Sequence, residues 1–144
     1  MPLMFIARPQ PCYNQIMKAI LVDALDGIIN SDGTLFQEMY ELLEQYPNRK
    51  IIVTNANDQQ FNQFNFRIAP YEIFTLKHNP DKVDPAYFRT LLDQYQLTPT
   101  DVIYFEHDEA ACDSAQSLSI PTYHYQHEER DLAKLKVFLD ENTG

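Results

Sequence analysis

Glycine is scarce, with three in 144 residues. Folds made of many short strands need tight turns, and tight turns draw on glycine for left-handed backbone, so the count argues against a β-sandwich or β-barrel. Cysteine is nearly absent too. Cys12 and Cys112 form no CxxC or zinc-ligand spacing. Idle or buried thiols in a reducing compartment are the expectation, with one long-range disulfide as the open alternative. Positive charge is also short, 11 Lys and Arg against 21 Asp and Glu, for a net charge of −10. A surface that acidic repels phosphate backbones and anionic lipid, which argues against nucleic-acid and membrane partners. No apolar run approaches the roughly 18–20 residues of a membrane span. Met1 to Arg8 has no basic start and no cleavage-site pattern, so a signal peptide is not expected and a cytoplasmic location is.

What remains is an ordinary globular composition, 44% hydrophobic and 22% charged, at a length suited to one domain. Residues 1–16 carry Pro2, Pro9 and Pro11 without periodicity and read as a loosely attached extension. Residues 17–144 read as the single folded domain. Ala19-Ile20-Leu21-Val22 is a continuous apolar run ending at Asp23, the pattern of a strand buried on both faces. Leu35, Phe36, Met39, Leu42, Leu43 and Tyr46 recur at helical spacing before Pro47. Ile51-Ile52-Val53 predicts a second strand, Asp58 to Phe66 a short helix, and Ile73 to Leu76 a third strand.

Asp84-Pro85 predicts an N-cap with proline at the first helical position, and Tyr87, Phe88, Leu91, Leu92 and Tyr95 form that helix's apolar stripe. Val102 to Phe105 is the fourth predicted strand, Glu109 to Leu118 a helix, Thr122 to Tyr125 the fifth strand, and Asp131 to Leu139 the last helix. Strands alternating with helices imply right-handed crossovers and a parallel sheet. The expected fold is therefore a three-layer, Rossmann-like α/β domain: a five-stranded parallel sheet with helices on both faces. Such sheets bind ligands beyond the carboxyl ends of their strands. The candidate positions follow: Asp23 and Asp26 after the first strand, Thr54 and Asn55 after the second, Lys77 and His78 after the third, and Glu106, His107 and Asp108 after the fourth.

An acid, a hydroxyl, a lysine and further acids at successive strand ends make a recognisable set. Lys18-Ala19-Ile20-Leu21-Val22-Asp23, Ile51-Ile52-Val53-Thr54-Asn55, Lys82-Val83-Asp84-Pro85 with Phe88, and Val102 to Thr122 resemble the haloacid dehalogenase (HAD) superfamily. The phosphatases of that superfamily show Asp-x-Asp-Gly-Thr, Thr or Ser, Lys and Asp at these four places. The resemblance implies a phosphohydrolase in which Asp23 attacks phosphorus and forms an aspartyl-phosphate. It implies that Thr54 and Lys82, with Asn55 beside them, bind the phosphoryl oxygens. Lys77 competes with Lys82 for that role, and the Lys-x-Asp-Pro pattern favours Lys82. It further implies Mg²⁺ held by Asp23 and the fourth-strand acids, Glu106 and Asp108.

The pattern is broken in two places. The residue two after Asp23, which in the family protonates the leaving group, is Leu25, with Asp26 one position late as the substitute catalytic acid. The metal-binding Asp after the fourth strand is His107. A competing reading makes Asp108 and Glu109 a helix N-terminal cap rather than metal ligands. Asp32-Gly33-Thr34 spells the tail of the motif, but Asn30 stands at its nucleophile position, so it reads as the turn and cap entering the first helix. His78, His124 and His127 lack a metal spacing and read as surface or strand-edge residues. The intervals from Asp26 to Thr54 and from Thr54 to Lys82 hold no spare length for a cap domain, so an open site is expected.

Weak or atypical phosphohydrolase activity on a phosphorylated small molecule or protein is the first expectation. A catalytically inactive HAD-fold binding or regulatory module is the alternative. Dehalogenase chemistry ranks below both because neither its cap nor its arginine is visible. A receiver-type domain is set aside because Lys77 stands where that domain needs an acid.

Overall fold

The computed structural model describes residues 17–143. The expected extension over residues 1–16, with Cys12, lies outside the described residues. Within them Cys112 is a buried free thiol. Strand β1 (Ala19–Asp23) is followed by α1 (Gln37–Leu43), β2 (Lys50–Thr54), α2 (Asp58–Phe64), β3 (Glu72–Thr75) and α3 (Pro85–Tyr95). Then come β4 (Val102–Glu106), α4 (Glu109–Gln116), β5 (Thr122–His124) and α5 (Leu132–Asn142), with 3₁₀ turns at Phe66–Ile68 and Pro99–Asp101. The five strands form one sheet in the order β3-β2-β1-β4-β5, every pair parallel.

Alternation of side chains along each strand divides the core in two. Ile20 and Val22 of β1, Ile52 of β2, and Ile103 and Phe105 of β4 face one side, where Met39 and Leu43 of α1 and Leu135 and Leu139 of α5 cover them. Leu21, Ile51, Val53, Val102 and Tyr104 face the other, under Tyr87, Phe88, Leu91 and Leu92 of α3 and Ala115 of α4. Both faces of β1 are dry, which is why its sequence is apolar without a break. The α/β expectation holds with helices on both faces. No helix among the described residues is long and apolar enough to cross a membrane.

The element ends follow local chemistry. Asp84 accepts the Ala86 N–H with Pro85 at the first helical position, as its sequence predicts. Helix α2 stops at Phe64, two residues short of expectation, because Asn65 turns left-handed and Phe66 opens a 3₁₀ turn. Asp32 binds the Thr34 N–H at 3.0 Å and closes a turn. It does not cap α1, whose N-cap, Phe36, has no side-chain bond. Between Asp26 and Lys82 the described residues hold only α1, β2, α2, one 3₁₀ turn and β3, leaving no cap domain there.

Candidate active site

β1 is the middle strand, and its order relative to β2 and β4 reverses the direction of chain winding on either side of it. The crevice at its carboxyl end is therefore the switch point where open α/β sheets bind ligands. Asp23 is the last residue of β1 and is 1% exposed. The loop behind it is held tightly. Ile28 N–H donates to the Asp23 carbonyl at 3.1 Å, and Gly27 and Ile29 N–H groups donate to Ala24. A Cβ on Gly27 would sit 2.2 Å from the Asp23 carbonyl oxygen, so only glycine fits.

Two cations meet Asp23. Lys82 Nζ lies 3.2 Å from Asp23 Oδ1 and 2.8 Å from Glu106 Oε1. On the other side Oδ2 accepts the His107 N–H at 3.1 Å and is bonded by His107 Nδ1. The same Nδ1 lies 3.3 Å from Glu106 Oε2. Glu106, fully buried at the end of β4, also accepts the Tyr104 hydroxyl and the Asp108 N–H. Asp23, Glu106, Lys82 and protonated His107 sum to zero charge, which is how two carboxylates tolerate one dry pocket.

Proton affinities follow from that arrangement. Burial and the charge of Glu106 raise the Asp23 carboxyl, with Lys82 and His107 opposing. Burial also works against ionised Glu106, but the Lys82 charge and the hydrogen bonds of His107 and Lys82 outweigh it and hold this carboxyl below its usual range. The hydrogen bond to Asp23, then that to Glu106, pushes His107 up to about 10. Lys82 is raised despite its burial by the charges of Asp23 and Glu106.

Thr54 ends β2. Its backbone is pinned by the Tyr87 hydroxyl from α3, which accepts the Thr54 N–H at 3.0 Å and lies 2.8 Å from the Thr54 carbonyl. Thr54 Oγ1 accepts the Ala56 N–H at 3.2 Å, so its own proton is available to a ligand. Asn55 Oδ1 accepts the Lys82 N–H at 2.7 Å and fixes the segment that carries the lysine. A cavity of about 210 Å³ opens here, with Asp23, Thr54, Asn55, Lys82 and His107 on its polar side. Leu25, Ala56, Phe64 and Phe66 make its apolar wall, and Gln60 and His78 stand on it as well.

Asp23, Thr54, Asn55 and Lys82 thus reach one cavity, and Glu106 lies beside them. Two other candidates do not. Asp26 sits in left-handed backbone at φ 63° with its side chain 40% exposed, and it approaches the site only through His107 Nε2 at 3.9 Å. The extra residue in the loop sends its carboxylate outward and leaves Leu25 on the cavity wall. Asp108 Oδ2 accepts the Ala111 N–H and caps α4, so that carboxylate is turned to the helix and not to Asp23. Lys77 pairs with Asp58 at 3.1 Å, away from Asp23.

Two residues gain importance that their sequence context concealed. His107 is a bonded partner of Asp23, and His78 lines the cavity. Among the described residues, the group that could share a cation is Asp23, Glu106 and His107, each offering one ligand atom, all within 4.8 Å of one another. Two carboxylates and an imidazole are a donor set that divalent ions accept, but the imidazole can join only after its Nδ1 has given up the proton it shares with Asp23 and Glu106.

No family model matches the sequence, and no curated protein does. Solved structures do match. A HAD family enzyme of Bacteroides thetaiotaomicron, an Asp-to-Ala mutant in complex with magnesium and inorganic phosphate, aligns over 83% of this chain and 98% of its own, with TM-score 0.62 and 15% identity. The core domain of a candidate phosphoglycolate phosphatase from Streptococcus pneumoniae covers 86% and 96%, with TM-score 0.58 and 18% identity. A HAD-superfamily hydrolase of Geobacter sulfurreducens covers 74% and 88%, with TM-score 0.54 and 12% identity. Identities this low speak to architecture alone, and on that ground the chain has the haloacid dehalogenase-like fold.

Proposed function

We propose that this chain is a phosphohydrolase that transfers the phosphoryl group of a monoester to Asp23 and then to water. The observation that carries the reading is the convergence of Asp23, Thr54 and Lys82 on one cavity at the carboxyl end of the central strand. Asp23 supplies the attacking oxygen, and its backbone is fixed by the loop behind it. Lys82 and the free hydroxyl proton of Thr54 bind the phosphoryl oxygens as negative charge moves across them. Asn55 keeps Lys82 in place through the loop backbone. In a chain of net charge −10, Lys82 and His107 bring the carboxylates of this pocket to neutrality, so the cavity does not repel an anionic ligand as the rest of the surface does.

Magnesium, present in the Bacteroides enzyme complex, takes oxygen ligands, which Asp23 and Glu106 offer here, while His107 would have to turn aside or lose its Nδ1 proton. Bound there, it would offset the charge of a phosphate meeting a carboxylate. The absence of a cap among the described residues leaves the cavity open to phosphorylated small molecules and to a phosphorylated protein segment alike.

Activity should be slow or atypical, because Leu25 stands where the proton donor belongs. That same leucine favours the second reading, a phosphate-binding module without turnover. A screen of phosphate monoesters with Mg²⁺, comparing wild type with Asp23→Asn, separates the two. Hydrolysis by wild type and its loss in Asp23→Asn support the enzyme, as does mass-spectrometric detection of a phosphorylated Asp23. Equal rates in both proteins would overturn it. Absence of turnover, with a rise in unfolding temperature on adding inorganic phosphate, would instead support the module.

A further inference from the structure

Phosphoryl transfer from an alkyl ester expels an alkoxide, which needs a proton as it leaves. Among the groups on the cavity wall, few hold a proton they can release. Leu25 has none. Lys82 is committed to Asp23 and Glu106, and His107 Nδ1 to the same pair; a proton taken from Lys82, or from His107 Nε2, leaves two buried carboxylates facing a single cation. The Asp26 carboxylate is not on the wall. His78 remains.

Its two ring nitrogens face named partners. Nδ1 lies 2.9 Å from Asp81 Oδ1, and Nε2 lies 2.8 Å from Gln60 Oε1. The identity of that Gln60 atom is not in question. The same oxygen accepts the Asn57 backbone N–H at 2.9 Å, and an N–H can only donate. Both ring nitrogens of His78 therefore face acceptors, an arrangement that a ring carrying a proton on each nitrogen satisfies. The two bonds differ in strength. Asp81 is a carboxylate and orients the ring from behind, whereas Gln60 is a neutral amide already shared with Asn57. Nε2 faces Gln60, which shares the cavity wall with His78, and its bond is the weaker of the two.

We propose that His78 is the proton donor to the leaving group, the part that Leu25 cannot play, with Asp81 as its positioning residue; this rests on the phosphohydrolase reading above. In the first step an Asp23 oxygen bonds to phosphorus, the bond from phosphorus to the ester oxygen breaks, and that oxygen takes the Nε2 proton of His78. In the second, neutral His78 accepts a proton from water as the water oxygen attacks phosphorus. The bond from the Asp23 oxygen to phosphorus breaks, inorganic phosphate leaves, and the Asp23 carboxylate and the protonated ring are both restored.

The test compares two leaving groups in purified, Mg²⁺-saturated protein. Ethyl phosphate needs its leaving oxygen protonated and 4-nitrophenyl phosphate hardly does. The comparison uses kcat/KM, which reports the first transfer. His78→Gln is expected to cut kcat/KM for ethyl phosphate by about 10²–10⁴-fold and to cut that for 4-nitrophenyl phosphate by far less. Asp81→Asn is expected to show the same selective loss, smaller in size. The ring is 43% exposed, so neither variant should alter the unfolding temperature. Equal losses on both esters, or none on either, would overturn the role of His78 while Asp23→Asn still abolished both activities. A wild-type protein that hydrolyses only the nitrophenyl ester would overturn it too, since that protein would lack a working donor. Turnover of the nitrophenyl ester by Asp23→Asn would instead bring down the phosphohydrolase reading itself.

Discussion

Lys82 Nζ stands 3.2 Å from Asp23 Oδ1, joining a loop and a strand 59 residues apart. The lysine is buried and its second partner is Glu106, so one ammonium balances two carboxylates that water does not reach. Its loss should be felt in stability as much as in chemistry. Lys82→Met is expected to destabilise the fold by about 3–5 kcal/mol, because an uncompensated charge stays buried. Urea unfolding at pH 7 measures it, and an unchanged midpoint would contradict the ion pair. Phosphate-monoester turnover should be lost as well.

His107 gives a pH signature. Its bonds to Asp23 and Glu106 push it up to about 10. A histidine raised in the folded state contributes stability that is complete below its unfolded value of about 6.5 and disappears as pH climbs to the folded value. With divalent ions removed by chelation, wild-type unfolding free energy should fall between about pH 6.5 and pH 10, by on the order of 2–4 kcal/mol. His107→Gln should lack that decline, and the difference between the two proteins isolates it from other titrations. Parallel curves would show that His107 is not held as a cation.

Tyr87 reaches from α3 to the end of β2, and its ring is fully buried. Tyr87→Phe keeps the ring and removes the acceptor of the Thr54 N–H. One buried donor then has no partner, at a cost of about 1–3 kcal/mol. Because Thr54 is the residue released, KM for phosphate monoesters should rise along with the loss of stability. A stability loss with KM unchanged would separate Tyr87 from the site.

The two described glycines differ in an instructive way. Gly27→Ala drives a methyl group against the Asp23 carbonyl and should cost about 1–3 kcal/mol while displacing Asp23, so activity falls too. Gly33, at φ 86°, has space for a methyl 3.5 Å from its nearest neighbour. Gly33→Ala should cost about 1–2 kcal/mol from left-handed backbone alone, with activity kept. Thermal unfolding and turnover of both variants check the pair, and equal losses of activity would refute the distinction.

Much of the architecture was legible because its causes are local. The apolar run at 19–22 fits only a strand covered on both faces, and Asp84-Pro85 writes its own helix start. Helix ends were less legible. Asn65 turns left-handed after Phe64, a choice its neighbours in sequence do not announce. In the site, Asp26 and Asp108 carry the right chemistry at almost the right place. Yet a one-residue difference in a tight loop turns the first outward, and the free N–H groups of α4 draw the second away.

The amino-acid order by itself determined the alternation of strands and helices, the strand end that carries Asp23, and the absence of length for a further domain between Asp26 and Lys82. These follow from side-chain periodicity, capping and chain length, each decided within a few neighbouring residues. Only the tertiary structure decided which charges share the pocket: Lys82 between Asp23 and Glu106, His107 against Asp23 from 84 residues away, and His78 between Asp81 and Gln60. Those pairings depend on how loops from separate strands meet at one edge of the sheet, and electrostatic balance in a dry pocket is a property of the assembled neighbours, not of any segment.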